Sequence, residues 1–256
     1  MHADIAERLR KAELDNLPIP PFAAEMQIDD IDTAYTIQKH NIASRAESGR
    51  KIVGRKIGLT SAAAQTQLGI DQPIHGPLFA DRKILNGDKL EAARMISPIL
   101  EGEIALVLDR DINDSDISFE EFSKAIRYVV PAIEIGDCRI ENWKVSLPDL
   151  IADDCAASRF VLGESPKQLS DIDLSTCEMT LSRNNEIVSS GSGKDCLGNP
   201  LNSGYWLARY LLTQGDMLKA GDVVLTGALG PMVPANAGDR IECAITGFEP
   251  VTVEFL

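Results

Sequence analysis

The sequence predicts an α+β protein whose core is a rolled, mostly antiparallel β-sheet with N-terminal helices packed on it. The first fifty residues have helical patterns, whereas the last eighty consist mainly of short apolar segments separated by turn residues. No flexible linker separates these parts. We therefore divide a single compact unit into an N-terminal helical part, residues 1–50, and a β-rich part, residues 51–256, which carries the candidate chemistry.

The N-terminal part predicts two helices, near residues 4–15 and over about 32–48, joined by a proline-rich segment. The segment 51–59 then alternates as a strand that places Gly54, Lys56 and Gly58 on one face. The small glycines leave room for a ligand to reach the Lys56 ammonium group. The alternative is an edge-strand lysine that hinders aggregation.

The central strands carry three acids. The apolar segment 99–108 predicts a strand whose period of two places Glu101 and Glu103 on the same face, and Glu134 lies in a similar strand at 129–135. Two like charges about 4 Å apart repel by about 4 kcal/mol at an effective dielectric of about 20. Either a divalent cation offsets this repulsion, or the acids face water on a solvated sheet surface.

The remaining elements are predicted by their end signals. Ser118 and Glu121 predict a capping box for a helix over 119–128. Asn199 and Pro200 predict the start of a helix that ends near Gly215. Further strands are predicted at 177–181, 223–226, 241–245 and 251–255.

Composition excludes several classes of protein. A net charge of -14 without a basic patch disfavours nucleic acid as a partner. No apolar run approaches the length of about 18 residues that a membrane span needs, and the N-terminus has no signal core, which predicts a soluble, cytoplasmic protein. The five cysteines have no metal-binding spacing, and three histidines are too few for a histidine-rich zinc site. Oxygen ligands for magnesium, manganese or calcium are the better expectation.

Motifs across nearly the whole chain resemble those of the 2-keto-4-pentenoate hydratase family, which has the fumarylacetoacetate hydrolase fold. The matching segments are 54–60, 69–73, 101–105, 131–134, 184–186, 196–198, 206–209 and 225–231. The resemblance implies a divalent-metal-dependent hydratase in aromatic compound catabolism. Its substrate would be a short 2-hydroxy-2,4-dienoate, to which it adds water to give a 4-hydroxy-2-oxo acid.

The resemblance also implies roles for individual residues. These are Glu101, Glu103 and Glu134 as ligands of Mg²⁺ or Mn²⁺, Lys56 as a catalytic residue, and Gly58, Leu59, Thr226 and Gly227 as substrate-binding residues. Lys56 is either a general acid or a clamp for the substrate carboxylate. Burial beside a cation is expected to lower its pKa.

One position departs from the family pattern, because Ile74 stands where many members carry an acid. The neighbouring His75 either replaces that acid in proton transfer or is a hydrogen-bonded bystander. We therefore list His75 as a second candidate catalytic residue.

Two other functions stay open from the sequence. The first is a decarboxylase of the 4-oxalocrotonate type, which needs a cation for the second carboxylate of its substrate. The candidate cations are Arg55, Arg94, Arg139 and Arg159. The second is a non-catalytic partner subunit. The resemblance further implies a homo-oligomer and association with a sister enzyme of the pathway.

Overall fold

The computed structural model describes residues 1–256, apart from the side chain of Gln67. Within these residues the chain forms six α-helices and thirteen β-strands. The helices are α1 (His2–Asp15), α2 (Ile31–Glu47), α3 (Ala62–Leu68), α4 (Phe119–Lys124), α5 (Leu147–Ala152) and α6 (Pro200–Thr213). The strands are β1 (Ile52–Gly58), β2 (Ile74–Phe79), β3 (Lys83–Ile84), β4 (Lys89–Leu90), β5 (Pro98–Leu108), β6 (Ile126–Asp137), β7 (Ala157–Leu162), β8 (Glu178–Arg183), β9 (Glu186–Ser192), β10 (Val223–Leu225), β11 (Val233–Pro234), β12 (Arg240–Ile245) and β13 (Val251–Phe255).

The described strands form two sheets. The eight-stranded sheet has the order β2-β1-β10-β5-β6-β7-β3, with β11 paired to β5, and the five-stranded sheet has the order β4-β13-β12-β8-β9. Most neighbours are antiparallel, and β1–β10, β3–β7 and β4–β13 are parallel. The predicted α+β fold with a mostly antiparallel core is confirmed.

Strand β5 lies at the centre of the larger sheet and separates two environments by its period of two. On one face Gly102 packs against the smaller sheet, where an added Cβ would lie 2.8 Å from the Met179 sulfur and 2.9 Å from the Cys243 sulfur. The opposite face carries Glu101 and Glu103. The side chains of β5 that fill the apolar core therefore alternate with those that build the candidate site.

The helices α1 and α2 pack together with α5 in a second apolar cluster that includes Ile5, Phe22 and Ile151. Asp149 fastens α5 to the N-terminal segment, since its Oδ1 accepts hydrogen bonds from the backbone N–H groups of Phe22 and Ala23 at 3.0 and 2.9 Å. The boundary between residues 50 and 51 falls just before β1, and the division into two parts stays a prediction.

One predicted helix is too long. The capping box of Ser118 and Glu121 is present, but α4 ends at Lys124 and β6 begins at Ile126. Residues 126–128 pair with β5 in the sheet ladder instead, so tertiary pairing overrides the local helical pattern. No helix in the described part of the chain is long and apolar enough to cross a membrane.

Candidate active site

Three acids meet on one face of the larger sheet. Glu101 of β5 is paired directly with Glu134 of β6, and Glu103 lies two residues further along β5. One carboxylate oxygen from each acid lies within 4.8 Å of the others. Paired residues on adjacent strands have Cβ atoms about 5 Å apart, so the ladder register itself brings these carboxyl groups together.

The surroundings of these acids are nearly dry. Glu103 and Glu134 are fully buried, and Glu101 is half-buried. Burial and the negative charge of Glu134 raise the pKa of Glu101 to about 7. Burial, with Glu134 and Glu101, also raises the pKa of Glu103 well above its ordinary value. The protein groups alone therefore do not stabilise three ionised carboxylates here.

A divalent cation fits this group of side chains. Glu103 Oε1 and Glu134 Oε2 are buried without a hydrogen-bond partner among the described residues. Lys56 is the one cationic side chain found in contact with them in the described structure, so in the fully ionised cluster one ammonium would leave two negative charges unbalanced. Buried charge needs a partner, and hard oxygen donors suit magnesium or manganese.

Lys56 is held in the same cluster, with its Nζ 2.8 Å from Glu134 Oε1. Burial would lower its pKa, but the negative charges of Glu134 and Glu101 outweigh burial and hold the pKa above its ordinary value. The two glutamates therefore oppose the lowering of the Lys56 pKa that we expected from the sequence. Lys56 carries its proton at the edge of the acid cluster.

The two glycines beside Lys56 serve different purposes. An added Cβ at Gly54 would lie 1.8 Å from the Val223 carbonyl oxygen, so Gly54 permits the close approach of β10 and does not provide ligand space. An added Cβ at Gly58 would lie 3.8 Å from Lys56 Nζ, on the side that faces the cleft. The sequence suggested that both glycines leave room for a ligand beside Lys56, and only Gly58 does so.

A cleft with two lobes lies against the acid cluster. Gly58, Leu59 and Glu101 contribute to both lobes, whereas Glu103 lines neither. The apolar lobe, of about 340 Å³, also contains Lys56 and Glu134. Its apolar wall is formed by Leu59, Leu68, Ile74, Ile99, Trp143, Val145, Leu150 and Met232. The second lobe, of about 430 Å³, is lined among others by Thr60, Ser61, Ser190 and Asp195. Gly58 and Leu59 thus line the cleft, and their contact with substrate stays a prediction.

Thr226 and Gly227 support the acids from behind and do not line either lobe as described. The Thr226 hydroxyl donates to the Ile104 carbonyl oxygen at 2.8 Å, and the Gly227 N–H donates to Glu103 Oε2 at 2.8 Å. Gly227 has a φ of 110°, and an added Cβ would lie 2.3 Å from Thr60 Oγ1. These contacts indicate a positioning role instead of the predicted contact with substrate.

His75 lies on the other face of β2, away from the acids. Its ring stacks on Tyr35 with centroids 4.8 Å apart and lines a separate cavity of about 40 Å³ together with Arg55 and Asp216. Burial, then the positive charge of Arg55, lowers the pKa of His75 to about 3. Its neighbour Ile74 is the residue of β2 that faces the cleft. The geometry therefore argues against a catalytic role for His75.

The four arginines considered for a second carboxylate do not line the cleft in the described structure. Arg55 pairs with Asp216, and Arg139 pairs with the buried Asp153. Arg94 is exposed beside Glu91, and Arg159 lines a different surface cavity.

Sequence reasoning missed one wall of the cleft. Trp143, Val145 and Leu150 come from a segment that no motif marks, because its helix α5 has only six residues. The Trp143 Nε1–H donates to the Ser97 carbonyl oxygen at 3.0 Å, which fixes the ring in place. The one local signal was the capping box of Ser146 and Asp149, which indicates a helix start but not its position in the fold.

Comparisons with known proteins point to one family. The family model of the fumarylacetoacetate (FAA) hydrolase C-terminal domain matches residues 62–255. The 2-keto-4-pentenoate hydratase 1 of Dechloromonas aromatica (strain RCB) is 46% identical over 98% of this chain and 95% of that protein. The 2-keto-4-pentenoate hydratase of Burkholderia vietnamiensis (strain G4 / LMG 22486) is 45% identical over 99% of this chain and 97% of that protein.

Among solved structures, a 4-oxalocrotonate decarboxylase from Pseudomonas putida G7, complexed with magnesium and adipate, superposes with a TM-score of 0.95. It is 32% identical, and the match covers 100% of this chain and 97% of that chain. The resemblance inferred from the motifs is confirmed. The chain belongs to the 2-keto-4-pentenoate hydratase family, and it is a hydro-lyase built on the fumarylacetoacetate hydrolase fold.

Proposed function

We propose that the protein uses Mg²⁺ or Mn²⁺, held by Glu101, Glu103 and Glu134, to hydrate a short 2-hydroxy-2,4-dienoate. The observation that carries the proposal is the group of three converging carboxyl groups, in which Glu103 Oε1 and Glu134 Oε2 are buried without a hydrogen-bond partner among the described residues. When bound, the cation supplies positive charge that stabilises the negative charge developing on the C2 oxygen of the substrate.

The reaction begins with ketonisation, in which the enol proton leaves the C2 oxygen and a proton is added at C5. Water then adds to the resulting 2-oxo-3-enoate, with its oxygen at C4 and a proton at C3. The product is a 4-hydroxy-2-oxo acid, which is the sum of substrate and one water. Negative charge gathers on the C2 oxygen in both steps, so the same cleft stabilises both.

The protein residues then have separate tasks. Lys56 keeps a proton on Nζ inside the cleft, and it either donates that proton to the substrate or binds the substrate carboxylate. Gly227 holds Glu103 through its N–H, and Thr226 holds the loop that carries Gly227. Gly58 and Leu59 form the wall shared by the two lobes, where their backbone excludes water from one side of the substrate.

Decarboxylation is the alternative reaction on this scaffold, and the solved relative from Pseudomonas putida G7 carries that name. A dicarboxylate substrate needs a second cation. The described lining of the cleft has Lys56 as its one cationic side chain, and Lys56 lies against Glu134. This favours hydration, in agreement with the names of the more similar relatives.

Three further expectations stay predictions: a homo-oligomer, association with a sister pathway enzyme, and a cytoplasmic location. The last is supported by cysteines that are all buried and free in the described structure, as in reducing compartments.

The test follows the loss of dienoate absorbance with purified protein before and after EDTA, and after addition of Mg²⁺ or Mn²⁺. Activity that survives complete chelation would refute the cation-dependent mechanism. Nuclear magnetic resonance of the products separates the two reactions, because only decarboxylation loses a carbon. Binding of Mg²⁺ and oxalate without turnover of any dienoate would instead support a non-catalytic subunit.

A matched pair of lysine variants tests the role of the ammonium group. Lys56→Met removes the cationic group of the cleft and is expected to lower turnover by at least about a hundredfold. Lys11→Met makes the same change on the exposed side of α1 and should leave turnover unchanged.

A further inference from the structure

Two arginines that the cleft does not use meet at a separate cavity. The sequence indicated Arg94 and Arg159 as partners for a carboxylate, and both line a cavity of about 280 Å³ together with Arg82. In the described structure this arginine cavity shares no lining residue with either lobe of the cleft. It lies between the end of α1, the turn at 92–94 and the ends of β6 and β7. Its size is close to the lower limit of roughly 300 Å³ for small-molecule sites.

Arg159 is the cation of this cavity that has no acidic partner. The residue is half-buried, and among the described residues it forms no salt bridge. Its Nη1 donates to the carbonyl and hydroxyl oxygens of Ser158 at 3.1 and 3.3 Å, and neither oxygen carries a charge. A guanidinium group has five N–H donors in a rigid fork that matches the oxygens of a carboxylate, sulfate or phosphate group. Arg159 therefore keeps donors for an anionic ligand.

The two acids of the cavity are already held by other groups. Glu13 lies between two arginines, with Arg45 Nη2 at 2.7 Å from its Oε2 and Arg82 Nη2 donating to its Oε1. Asp137 accepts hydrogen bonds from the backbone N–H groups of residues 96 and 97, at 3.0 and 2.7 Å. Hydrogen bonds of this kind stabilise a carboxylate in place. Neither acid makes a direct ion pair with Arg159 in the described structure.

The positive charges around the cavity repel each other. Burial lowers the pKa of Arg82 to about 10 against the charge of Glu13, and the charges of Arg159 and Arg50 add to the lowering. Burial also lowers the pKa of Arg159, and the charge of Arg50 contributes to it. A partly buried cation without a partner is unfavourable, and a bound anion would relieve this.

Arg94 provides a third guanidinium group at the rim. Its Nε contacts Glu91, but both side chains are largely exposed. An exposed ion pair of this kind contributes little, so Arg94 can turn to a bound anion at small cost. The lining therefore has three cationic side chains against two acids, Glu13 and Asp137.

We propose that this cavity binds a small oxyanion, held by the guanidinium groups of Arg159 and Arg82 and covered by Arg94. The chemical class is a carboxylate, sulfate or phosphate group on a molecule small enough for about 280 Å³. Guanidinium groups bind such groups through paired N–H···O hydrogen bonds. The site is separate from the acid cluster, so this inference does not rest on the proposed function.

The test measures binding of two probes, sulfate and malonate, by calorimetry in the presence of chelator. Sodium chloride keeps the ionic strength constant, because a change in salt would alter every surface charge interaction. We expect saturable binding of one anion per chain. Tighter binding of sulfate would identify a tetrahedral group as the ligand, and tighter binding of malonate a carboxylate. Sulfate is titrated again into the Mg²⁺-loaded protein, where its Kd should change less than about twofold.

Two variants and one control locate the site. Arg159→Met removes charge-assisted hydrogen bonds and is expected to weaken binding of both probes at least about tenfold. Arg127→Met, the same change at an exposed arginine of β6, should leave Kd unchanged. Arg94→Met should weaken binding at least about threefold. Because Arg94 is exposed, this variant gives a second readout should Arg159→Met not fold.

Three results would overturn the inference. The first is the absence of saturable binding in chelator. The second is a Kd that is the same for the wild type, Arg159→Met and Arg94→Met. The third is binding that requires Mg²⁺, because the anion would then lie at the acid cluster. Loss of the hydratase activity proposed above would leave the arginine cavity untouched, since sulfate binding is measured without turnover.

Discussion

The substitution Glu103→Gln is expected to change stability in opposite directions with and without a cation. Glu103 is fully buried, and its pKa is raised by burial and by the charges of Glu134 and Glu101. Glutamine keeps the shape of the side chain and still accepts the hydrogen bond from the Gly227 N–H. The substitution therefore removes one acidic group from the cluster with little other change.

The expected magnitudes follow from two simple relations. Like charges about 4 Å apart repel by about 4 kcal/mol at a dielectric of about 20, so the metal-free variant gains up to about 4 kcal/mol in the free energy of unfolding. For a chain of this size that raises the melting temperature by on the order of 10 °C. Mg²⁺ at about 100 times its Kd stabilises the wild type by about 2.7 kcal/mol. With one of three ligands neutral, the variant should gain less than about 1 kcal/mol.

The assay is thermal unfolding in chelator and in a series of Mg²⁺ concentrations. Glu25→Gln, which neutralises an exposed acid, is the matched control and should follow the wild type in both conditions. A variant that is less stable than wild type in chelator and gains as much from Mg²⁺ would refute the reasoning, because Glu103 would then be neither a repelled charge nor a ligand.

Three further predictions concern the groups around the acids. Gly227→Ala forces a side chain against Thr60 at a φ of 110°, so unfolding and Mg²⁺ titrations should show stability lowered by a few kcal/mol and weaker Mg²⁺ binding. Thr226→Val removes the hydrogen bond from the Thr226 hydroxyl to the Ile104 carbonyl oxygen. It should lower the free energy of unfolding in denaturant by about 1–2 kcal/mol and leave KM unchanged. A higher KM would instead support the predicted contact of Thr226 with substrate. His75→Phe should keep turnover in the absorbance assay. The pKa of His75 is about 3 in the folded state and near 6.5 in the unfolded state. The free energy of unfolding of the wild type therefore falls as the pH drops from 6.5 towards 3, by up to about 1.4 kcal/mol per pH unit. The variant should lack this contribution.

The acid cluster could be predicted because its determinants are local in sequence. The period of two on β5 fixes the common face of Glu101 and Glu103, and Glu134 lies in an equally clear strand. The ladder register then brings the two strands together at these residues. The start of α6 was equally local, as its cap at Asn199 illustrates.

Other features depend on contacts that the sequence does not display. Strand β2 was not predicted, and so the opposite directions of Ile74 and His75 were not seen. The helix after Ser118 is shorter than predicted because β6 pairs with β5, a contact that the local sequence does not display. Thr226 lies in a loop that hydrogen-bonds to the neighbouring strand, and no pattern in its own segment indicates that its hydroxyl is already used.

The bond between Asp149 and the N-terminal segment has a consequence for how this enzyme can diverge. Leu150 of the cleft wall follows directly after Asp149, which is anchored to the backbone of Phe22 and Ala23. Those two residues lie outside the region shared with the wider FAA hydrolase family, 62–255. Substitutions around residue 22 can therefore reshape this wall of the cleft while leaving the acid cluster intact. Natural evolution, and directed evolution in the laboratory, can thereby change the substrate range through positions far from the acids.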